Sequence, residues 1–523
     1  MATANRKYPI GIYTFEEIVG SNYLYVDKTA HVYNITHDFK YVFLSRPRRF
    51  GKSLLVDTLQ CYFEARKELF DGLNLAQLES EWVKYPVFRF DMSSLKNKNV
   101  QYVESGLDTL LLNYEKAYGI DNPRKTFGDR LQVLINAAVE QTGQKVVLLI
   151  DEYDSPMLEV FHDKEKLSEV RDILKNFYGP IKICDAQLRF GFITGITKFS
   201  QMGIFSGINN LKDISMLDNY SDICGISKEE LLNQCKPDIE TMADSMQYTY
   251  SDMASKLTEY YDGYHFSKCS KDVFNPFSLI NAFNDKSLEY YWFKSATPTF
   301  LFEQMKHYGT DFSLLEGKKV GIEDFDVSPE NATSALPLLY QSGYLTIKDY
   351  DAEYEEFTLG FPNKEVRVGF TKSFLPTVAN IDGAEVNKRM VRITKAFNNC
   401  DVDSAMQEIK SLVAEIPYHY KNSTEPNFQT IMFLIFTLVG QRVRVEVATA
   451  EGRADAIIET SNYVYVIEYK VNQSPDVALQ QIEDRGYATP YLSDPRKLVR
   501  VGMNFSSKLR GVESWRWCSI AHA

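Results

Sequence analysis

The 523-residue sequence predicts an α/β protein with a parallel sheet toward its N-terminal end and a second α/β domain in its last hundred residues. Two observations carry this. In the first two hundred residues, short apolar runs alternate with longer stretches of helical spacing, the pattern of strands joined by covering helices. After a helical, aromatic middle, strands return from Val443 onward. In chain order, Tyr41-Val42-Phe43-Leu44 is the first strand and Val87-Phe88-Arg89-Phe90-Asp91 the second. Helical stretches follow around 100–118 and 125–142. Val146-Val147-Leu148-Leu149-Ile150 is a strand ending on Asp151-Glu152, a polar helical segment lies near 164–178, and Arg189–Thr194 is a further strand.

Composition narrows the class. A chain this long exceeds the size of one growing core, so two to four domains are expected. Apolar content of 44% and charged content of 24% are ordinary for globular protein. A net charge of −12 argues against wholesale nonspecific nucleic-acid binding and leaves room for a local basic groove. The seven cysteines form no CxxC pair, which fits reduced thiols and offers no structural zinc site. Met-Ala-Thr-Ala-Asn-Arg-Lys lacks the apolar core of a secretory leader, and the apolar run Ile431–Val439 is too short to span a bilayer. A cytoplasmic protein without a membrane segment is expected. The 33 Tyr and 33 Phe read as core packing rather than a base-stacking platform.

Directly after the first strand comes Arg46-Pro47-Arg48-Arg49-Phe50-Gly51-Lys52-Ser53. Gly-Lys-Ser between a strand and a helix is the phosphate-cradling end of a P-loop: backbone N–H groups, here of Arg49 to Ser53, and the helix N-terminus face the phosphates. The Lys reaches the terminal phosphates and the Ser hydroxyl holds Mg²⁺. Asp151 supplies a carboxylate to the metal shell and Glu152 a neighbour able to polarise water. Together the halves predict ATP or GTP binding. Arg46 stands where the first Gly of GxxxxGK[ST] belongs, so the turn must differ, and its arginines bring positive charge toward the phosphates. Thr194, ending the 189–194 strand, is the candidate γ-phosphate sensor, with Thr197 and Lys198 as alternatives. Asp154 reads as structural, a cap before Pro156. Whether Glu152 drives hydrolysis or only orients a loop in a slow switch stays open. Arg171 and Arg189 are arginine-finger candidates without geometric support, leaving monomeric switch and ring-forming motor equally open.

From about 215 to 380 the chain is helical and aromatic. The helix through Leu336–Tyr340, stopped at Ser342-Gly343 and followed by Tyr344-Leu345-Thr346-Ile347, suits a small winged-helix-like region. Helices resume near 384–414, and Asn422-Ser423-Thr424-Glu425-Pro426 marks a boundary near 420. Helix 428–440 then leads into strands at 443–447, 455–458 and 463–470. Asp455 begins one strand, and Glu468 and Lys470 share one face of the next. Two carboxylates able to share a divalent cation, beside a lysine able to position or deprotonate water, suit phosphodiester hydrolysis. A surface Glu–Lys ion pair is the bland alternative; Asp455 and the following helix with Gln481 weigh against it. Glu446 is a third candidate carboxylate, with Arg442 and Arg444 as ordinary partners. None of the seven histidines forms a ligand pair at helical spacing.

The whole chain resembles the bacterial AAA-ATPase-like proteins that carry a C-terminal PD-(D/E)XK nuclease-superfamily domain. The resemblance rests on Tyr25-Val26-Asp27-Lys28-Thr29, Arg46 to Ser53, Ile150-Asp151-Glu152-Tyr153-Asp154 and Phe192-Ile193-Thr194-Gly195-Ile196-Thr197-Lys198-Phe199. It extends through Asn209-Asn210-Leu211 with Asp213, Tyr261-Asp262-Gly263-Tyr264 and Phe361-Pro362-Asn363-Lys364-Glu365-Val366-Arg367, to Gly452-Arg453-Ala454-Asp455 with Glu468-Tyr469-Lys470. The arginine-rich loop is that family's own form. The resemblance implies an ATPase core at 1–290, a helical, winged-helix-like linker at 291–420 and a restriction-endonuclease-like domain at 421–523. It implies ATP and Mg²⁺ as cofactors, with Mn²⁺ an option at the second site, Asp455 and Glu468 as metal-binding acids, Lys470 as the motif lysine, and DNA as a partner. Ala454 replaces the motif proline. Two rivals stand beside this: a nucleotide-dependent switch that binds nucleic acid or a partner without cutting, and an ATP-driven DNA-remodelling or mobile-element protein.

Overall fold

The computed structural model describes residues 6–121, 126–198, 205, 210–269, 271–294, 299–308, 310, 315–379, 381–415, 425–440, 444–447 and 454–520. Phe199, Asn209, Arg442, Gly452 and Arg453, and the side chains of Arg444 and Glu446, lie outside what is described. The chain divides into two compact units, residues 1–292 with 320–358, and residues 293–319 with 359–523.

In the first unit, β1 (Tyr41–Ser45) leads through the Arg46–Gly51 loop into α1 (Lys52–Phe63). β2 (Val87–Asp91) is followed by α2 (Val100–Ala117) and α3 (Phe127–Thr142), and β3 (Val146–Asp151) by α4 (Lys164–Tyr178). β4 (Leu188–Gly195) and β5 (Leu211–Asp213) complete a sheet of order β2-β3-β4-β1-β5. Every pairing in it is parallel. The two strands that carry the motifs are therefore not neighbours. β4 separates them, with Thr194 opposite Leu44 on one side and Ile193 opposite Ile150 on the other. The strand that ends near Thr194 is thus an added strand directly beside the P-loop strand.

The burial pattern follows from strand alternation. Val146, Leu148 and Ile150 pack into one cluster with Leu107 of α2, Leu134 of α3 and Leu174 of α4. Val147 and Leu149 point the other way and are buried as well. A sheet covered on both faces needs such continuous apolar strands. The helices are set by local chemistry. The Asn99 side chain accepts from the Gln101 N–H at the start of α2, Thr126 accepts from the Asp129 N–H at the start of α3, and Gly143 at φ +67° ends α3. Arg130 of α3 grips the buried Glu115 of α2 in a two-pronged pair, both contacts at 2.8 Å. It also meets Asp108 at 2.5 Å, whose side chain is 58% exposed.

Beyond the sheet, α5 (Leu336–Gln341) stops at Gly343, φ +87°, before a strand at Thr346–Asp351. Gly343 lies so close to the P-loop that a Cβ there would stand 2.7 Å from the Pro47 side chain. Lack of a side chain is thus required twice over, by the left-handed backbone and by the approach.

The second unit carries α6 (Gly383–Asn398), α7 (Val402–Glu415) and α8 (Glu425–Val439), then β6 (Arg444–Val447), β7 (Ala456–Glu459) and β8 (Tyr463–Val471). α9 (Pro475–Asp484), β9 (Lys497–Ser506) and β10 (Gly511–Ile520) follow. The sheet order is β6-β7-β8-β9-β10. β8 and β9 pair in parallel and the other neighbours antiparallel. α9 lies tight on the sheet: a Cβ on Gly502 would meet the Pro475 carbonyl at 2.3 Å. The opposite face holds Tyr465, whose hydroxyl donates to the Phe397 carbonyl at 2.5 Å. The apolar run Ile431–Val439 belongs to α8 and is largely buried. Among the described residues no helix is long and apolar enough to cross a membrane.

Removing one partner of a buried ion pair leaves the other charge uncompensated. Glu115→Ala leaves Arg130 only its exposed partner Asp108 and should destabilise the first unit by about 3 kcal/mol. Asp108→Ala, on the exposed arm of the same arginine, should cost under about 1 kcal/mol. Urea melts of the two variants check this ordering.

Candidate functional site

The loop after β1 solves its turn differently from a glycine-led P-loop. Its left-handed positions are Arg49 at φ +66° and Gly51 at φ +92°, so no glycine is needed at residue 46. Arg46 is 1% exposed and forms the floor of the loop. Its guanidinium donates to the carbonyls of Ser45 at 2.9 Å, Ser215 at 2.7 Å, Tyr220 at 3.0 Å and Ser221 at 3.3 Å. It also lies 4.2 Å from the centre of the Phe266 ring. The expectation that Arg46 adds charge beside a phosphate is corrected: its two terminal nitrogens are already committed to carbonyls beneath the loop, and its Nε is buried with no hydrogen-bond partner among the described residues. Phe50 is core, packed edge-on against Tyr264 at 4.7 Å and Phe266 at 5.4 Å. Arg49 rests its guanidinium 3.9 Å from the Phe277 ring centre. What Arg49 and Phe50 have to offer a phosphate is mainly backbone N–H.

Lys52 opens α1, is buried, and donates to the carbonyls of Arg46 at 2.9 Å and Pro47 at 3.0 Å. Burial pushes its ammonium pKa down, against the pull of Asp151, Glu152 and Asp154. Asp151, at the end of β3, is 2% exposed. Burial raises its pKa, while a hydrogen bond from the Ser53 hydroxyl and the charge of Lys52 act the other way. Glu152 is likewise pushed up by burial, opposed by Lys52. Its N–H donates to Asp151 Oδ1 at 3.0 Å, and its backbone is left-handed at φ +49°. Gly51, Lys52, Ser53, Asp151 and Glu152 are thus brought to one place. An apolar cavity opens beside Gly51, lined among others by Tyr25, Val26, Leu54, Ile223 and Ile280. Sequence reasoning missed it because its walls come from three distant segments.

The sensor candidates are placed otherwise. The Thr194 hydroxyl donates to the Leu44 carbonyl at 2.7 Å. Thr197 donates to Asp154. Lys198 sits between Asp213 at 2.9 Å and Asp326 at 2.7 Å. Burial works against its charge, but the two carboxylates prevail and hold its pKa above the ordinary value. Arg171 pairs with Glu330 at 2.6 Å, and Arg189 donates to the Thr36 carbonyl at 3.2 Å. Asp154 does precede the short helix at Ser155–Glu159, yet its side chain makes no capping bond there. It turns instead to the residues after β4.

In the second unit Asp455, Glu468, Lys470 and Gln481 converge. Glu468, 2% exposed, accepts from Lys470 Nζ at 2.9 Å and from Gln481 Nε2 at 2.6 Å on one oxygen. Its other oxygen takes the Asp455 N–H at 3.3 Å. Asp455 Oδ2 accepts the Tyr469 N–H at 2.9 Å. Strand alternation puts Glu468 and Lys470 on the face that α9 covers, which is how Gln481 reaches them. Two carboxylates cross-tied by each other's backbone, without sulfur or imidazole, form an oxygen donor set that fits a hard divalent cation. The histidines add nothing to it: among the described residues no group of three or more His, Cys, Asp or Glu is placed to hold a metal.

A parallel sheet with one strand between the phosphate-loop strand and the Asp-Glu strand, and Lys-Ser meeting a buried Asp at their ends, defines a P-loop nucleotide-binding core. The mixed sheet carrying Asp455, Glu468 and Lys470 under Gln481 defines a nuclease-like domain. The family described as a predicted AAA-ATPase matches residues 9–205, and the PD-(D/E)XK nuclease superfamily matches residues 423–515. A protein of Azotobacter chroococcum mcd 1, described as uncharacterized and lying in the vnfD 5′ region, is 32% identical over 533 residues, covering 97% of this chain and 98% of that relative. The chain belongs to the AAA-ATPase-like proteins with a C-terminal PD-(D/E)XK nuclease-superfamily domain. No solved structure matches it.

Arg46→Met strands four carbonyls beneath the loop and should destabilise the first unit by about 3 kcal/mol or more. Arg49→Ala removes only an exposed stacking contact and should cost under about 1 kcal/mol. Denaturant melts with ATP absent separate the two.

Proposed function

We propose that the first unit binds and hydrolyses ATP·Mg²⁺, and that its nucleotide state controls a metal-dependent DNA nuclease in the C-terminal domain. The observation that carries the first half is the meeting of Lys52 and Ser53 with the buried Asp151. The backbone N–H groups of Arg49 to Ser53 and the N-terminus of α1 would bind the phosphates. Lys52, now satisfied by two carbonyls of its own loop, would turn to the terminal phosphates. Ser53 and Asp151 would hold Mg²⁺, whose charge offsets both the phosphates and a carboxylate that burial disfavours. Glu152, with its basicity raised by burial, would take the proton of the attacking water. The apolar cavity beside Gly51 would receive the base. Thr194 stays a sensor candidate only through the lone pairs and rotation of a hydroxyl that already donates to Leu44.

At the second site Asp455 and Glu468 would hold Mg²⁺ or Mn²⁺, which when bound polarises a phosphodiester and acidifies water. Gln481 orients Glu468, and Lys470 would exchange its Glu468 contact for the attacking water or the scissile phosphate. The division into a core at 1–290, a linker at 291–420 and a nuclease domain at 421–523 belongs to the same proposal, as does a cytoplasmic location. A second reading is favoured by one contact. Glu468 held by Lys470 at 2.9 Å is also the resting pair of a domain that binds nucleic acid without cutting.

Plasmid and linear-DNA cleavage with Mg²⁺ or Mn²⁺, with and without ATP, separates the two. The proposal expects cleavage by the wild type, its loss in Lys470→Ala with ATP binding intact, and altered cleavage in Lys52→Ala together with loss of ATP binding. Wild-type protein that binds ATP and cuts under no condition favours the non-cutting switch. Tight ATP binding by Lys52→Ala contradicts the nucleotide site.

A further inference from the structure

Asp154 is fully buried, and although its charge is felt at Lys52 and Glu152, its carboxylate is hydrogen-bonded elsewhere. Its Oδ2 accepts from the Thr197 N–H at 2.7 Å, the Thr197 hydroxyl at 2.5 Å and the Ile196 N–H at 3.1 Å. Its Oδ1 stands 3.3 Å from the same Ile196 nitrogen. The residue before it makes parallel ties. Tyr153 donates its N–H to the Thr194 carbonyl at 3.1 Å and its hydroxyl to the Thr197 carbonyl at 3.0 Å. All these acceptors and donors belong to the end of β4 and the turn that follows. Gly195 lets the two segments close on each other: a Cβ there would stand 2.5 Å from Asp154 Oδ1 and 2.6 Å from the Tyr153 ring.

Between β3 and this clamp stands Glu152, at φ +49°. A residue with a Cβ keeps that backbone only when its surroundings over-determine it, and such residues concentrate where geometry serves chemistry. On one side Glu152 is fixed by Asp151, which pairs with Asp91 in the sheet and accepts the Glu152 N–H. On the other side it is followed by Tyr153 and Asp154, and Ser155 donates its N–H to the Glu152 carbonyl at 2.9 Å and its hydroxyl to Glu152 Oε2 at 3.4 Å. If residues 153 and 154 slipped, Glu152 could relax to an ordinary conformation, and its carboxylate would swing to another direction.

We propose that Asp154 is a positioning residue for ATP hydrolysis: by tying the segment after β3 to the turn after β4, its carboxylate holds Glu152 in the left-handed conformation that aims it at the attacking water. The proposal rests on the reading of Glu152 as the water-activating group. Asparagine at 154 would keep the volume but remove the charge, leaving a weaker neutral acceptor for the Thr197 and Ile196 donors and an amide group facing the Ile196 N–H. Alanine at 195 would press on the clamp from the other side. Phenylalanine at 153 would remove one tie without a change of shape.

The test is steady-state ATP hydrolysis and ATP binding by the full chain for wild type, Glu152→Gln, Asp154→Asn, the double variant, Gly195→Ala and Tyr153→Phe, with melting curves to identify folded variants. Asp154→Asn and Gly195→Ala should bind Mg·ATP within about threefold of wild type while kcat falls about tenfold or more; Tyr153→Phe should fall less, in the same direction. The double variant should be no slower than Glu152→Gln, because a group that acts only through Glu152 has nothing left to position. A double variant slowed by the product of the single effects overturns the proposal, as does unchanged kcat in folded Asp154→Asn. If Asp154→Asn does not fold, unchanged kcat in both Gly195→Ala and Tyr153→Phe overturns it. Wild-type kcat in Glu152→Gln removes the underlying reading of Glu152, a failure recognisable on its own because it needs no variant of the clamp.

Discussion

Asp151 ends a strand whose side chains are all buried, and that burial pushes its carboxyl toward the neutral form. What opposes the push is the hydroxyl of Ser53 and the ammonium of Lys52, both from the first turn of α1. These groups meet only if three parallel strands keep register, because β4 lies between the strand that delivers Asp151 and the strand that delivers α1. The arrangement is electrostatically incomplete by itself: a desolvated carboxylate and a desolvated ammonium, each disfavoured by burial, gain most from a ligand that brings both negative oxygens and a cation. A nucleoside triphosphate with its metal has that composition. Much of the rest of the first unit reads as support for this pair, from the Arg46 floor beneath the loop to the Gly343 turn pressed against Pro47.

The sheet was largely legible because its strands are fully buried. A run such as Val146-Val147-Leu148-Leu149-Ile150 has few alternatives once it ends in Asp-Glu, and the helices around 100–118 and 164–178 lie where their spacing placed them. Glu468 and Lys470 were legible for a similar reason, since strand alternation alone sets them on one face. What the sequence could not disclose are the long-range partners. Arg46, read with its arginine neighbours as positive charge near the phosphates, has acceptors near residues 215–221 that become visible only when β5 docks beside β1. Thr194 looked free for sensing, but in-register pairing sets its hydroxyl beside the Leu44 carbonyl. Asp154 looked like a helix cap from the following Pro156, and the fold gives its carboxylate better donors in another loop.

Lys198 shows how the turn after β4 reaches further. Its ammonium joins Asp213 at the end of β5 to Asp326, and its N–H donates to Gln341 at 2.9 Å. The segment 320–358 is thereby fastened to the same turn that receives Asp154. A change at the phosphate site that shifted this turn would be felt at Asp326 and α5 without any further moving part. The carboxylates of the C-terminal site are built on the opposite principle. They are tied to each other's backbone and to Lys470 and Gln481, so that their geometry is set locally within two strands and one helix.

The most direct test of the central claim is titration calorimetry of ATP into wild-type protein and Asp151→Ala, each with Mg²⁺ and with chelator. If Asp151 and Ser53 hold the metal of a bound nucleotide, Mg²⁺ should tighten ATP binding to the wild type by at least about tenfold, and Asp151→Ala should lose that gain while remaining folded. Equal tightening by Mg²⁺ in both proteins would contradict the account, because the buried carboxylate on which the site is built would then have no part in holding the nucleotide's metal.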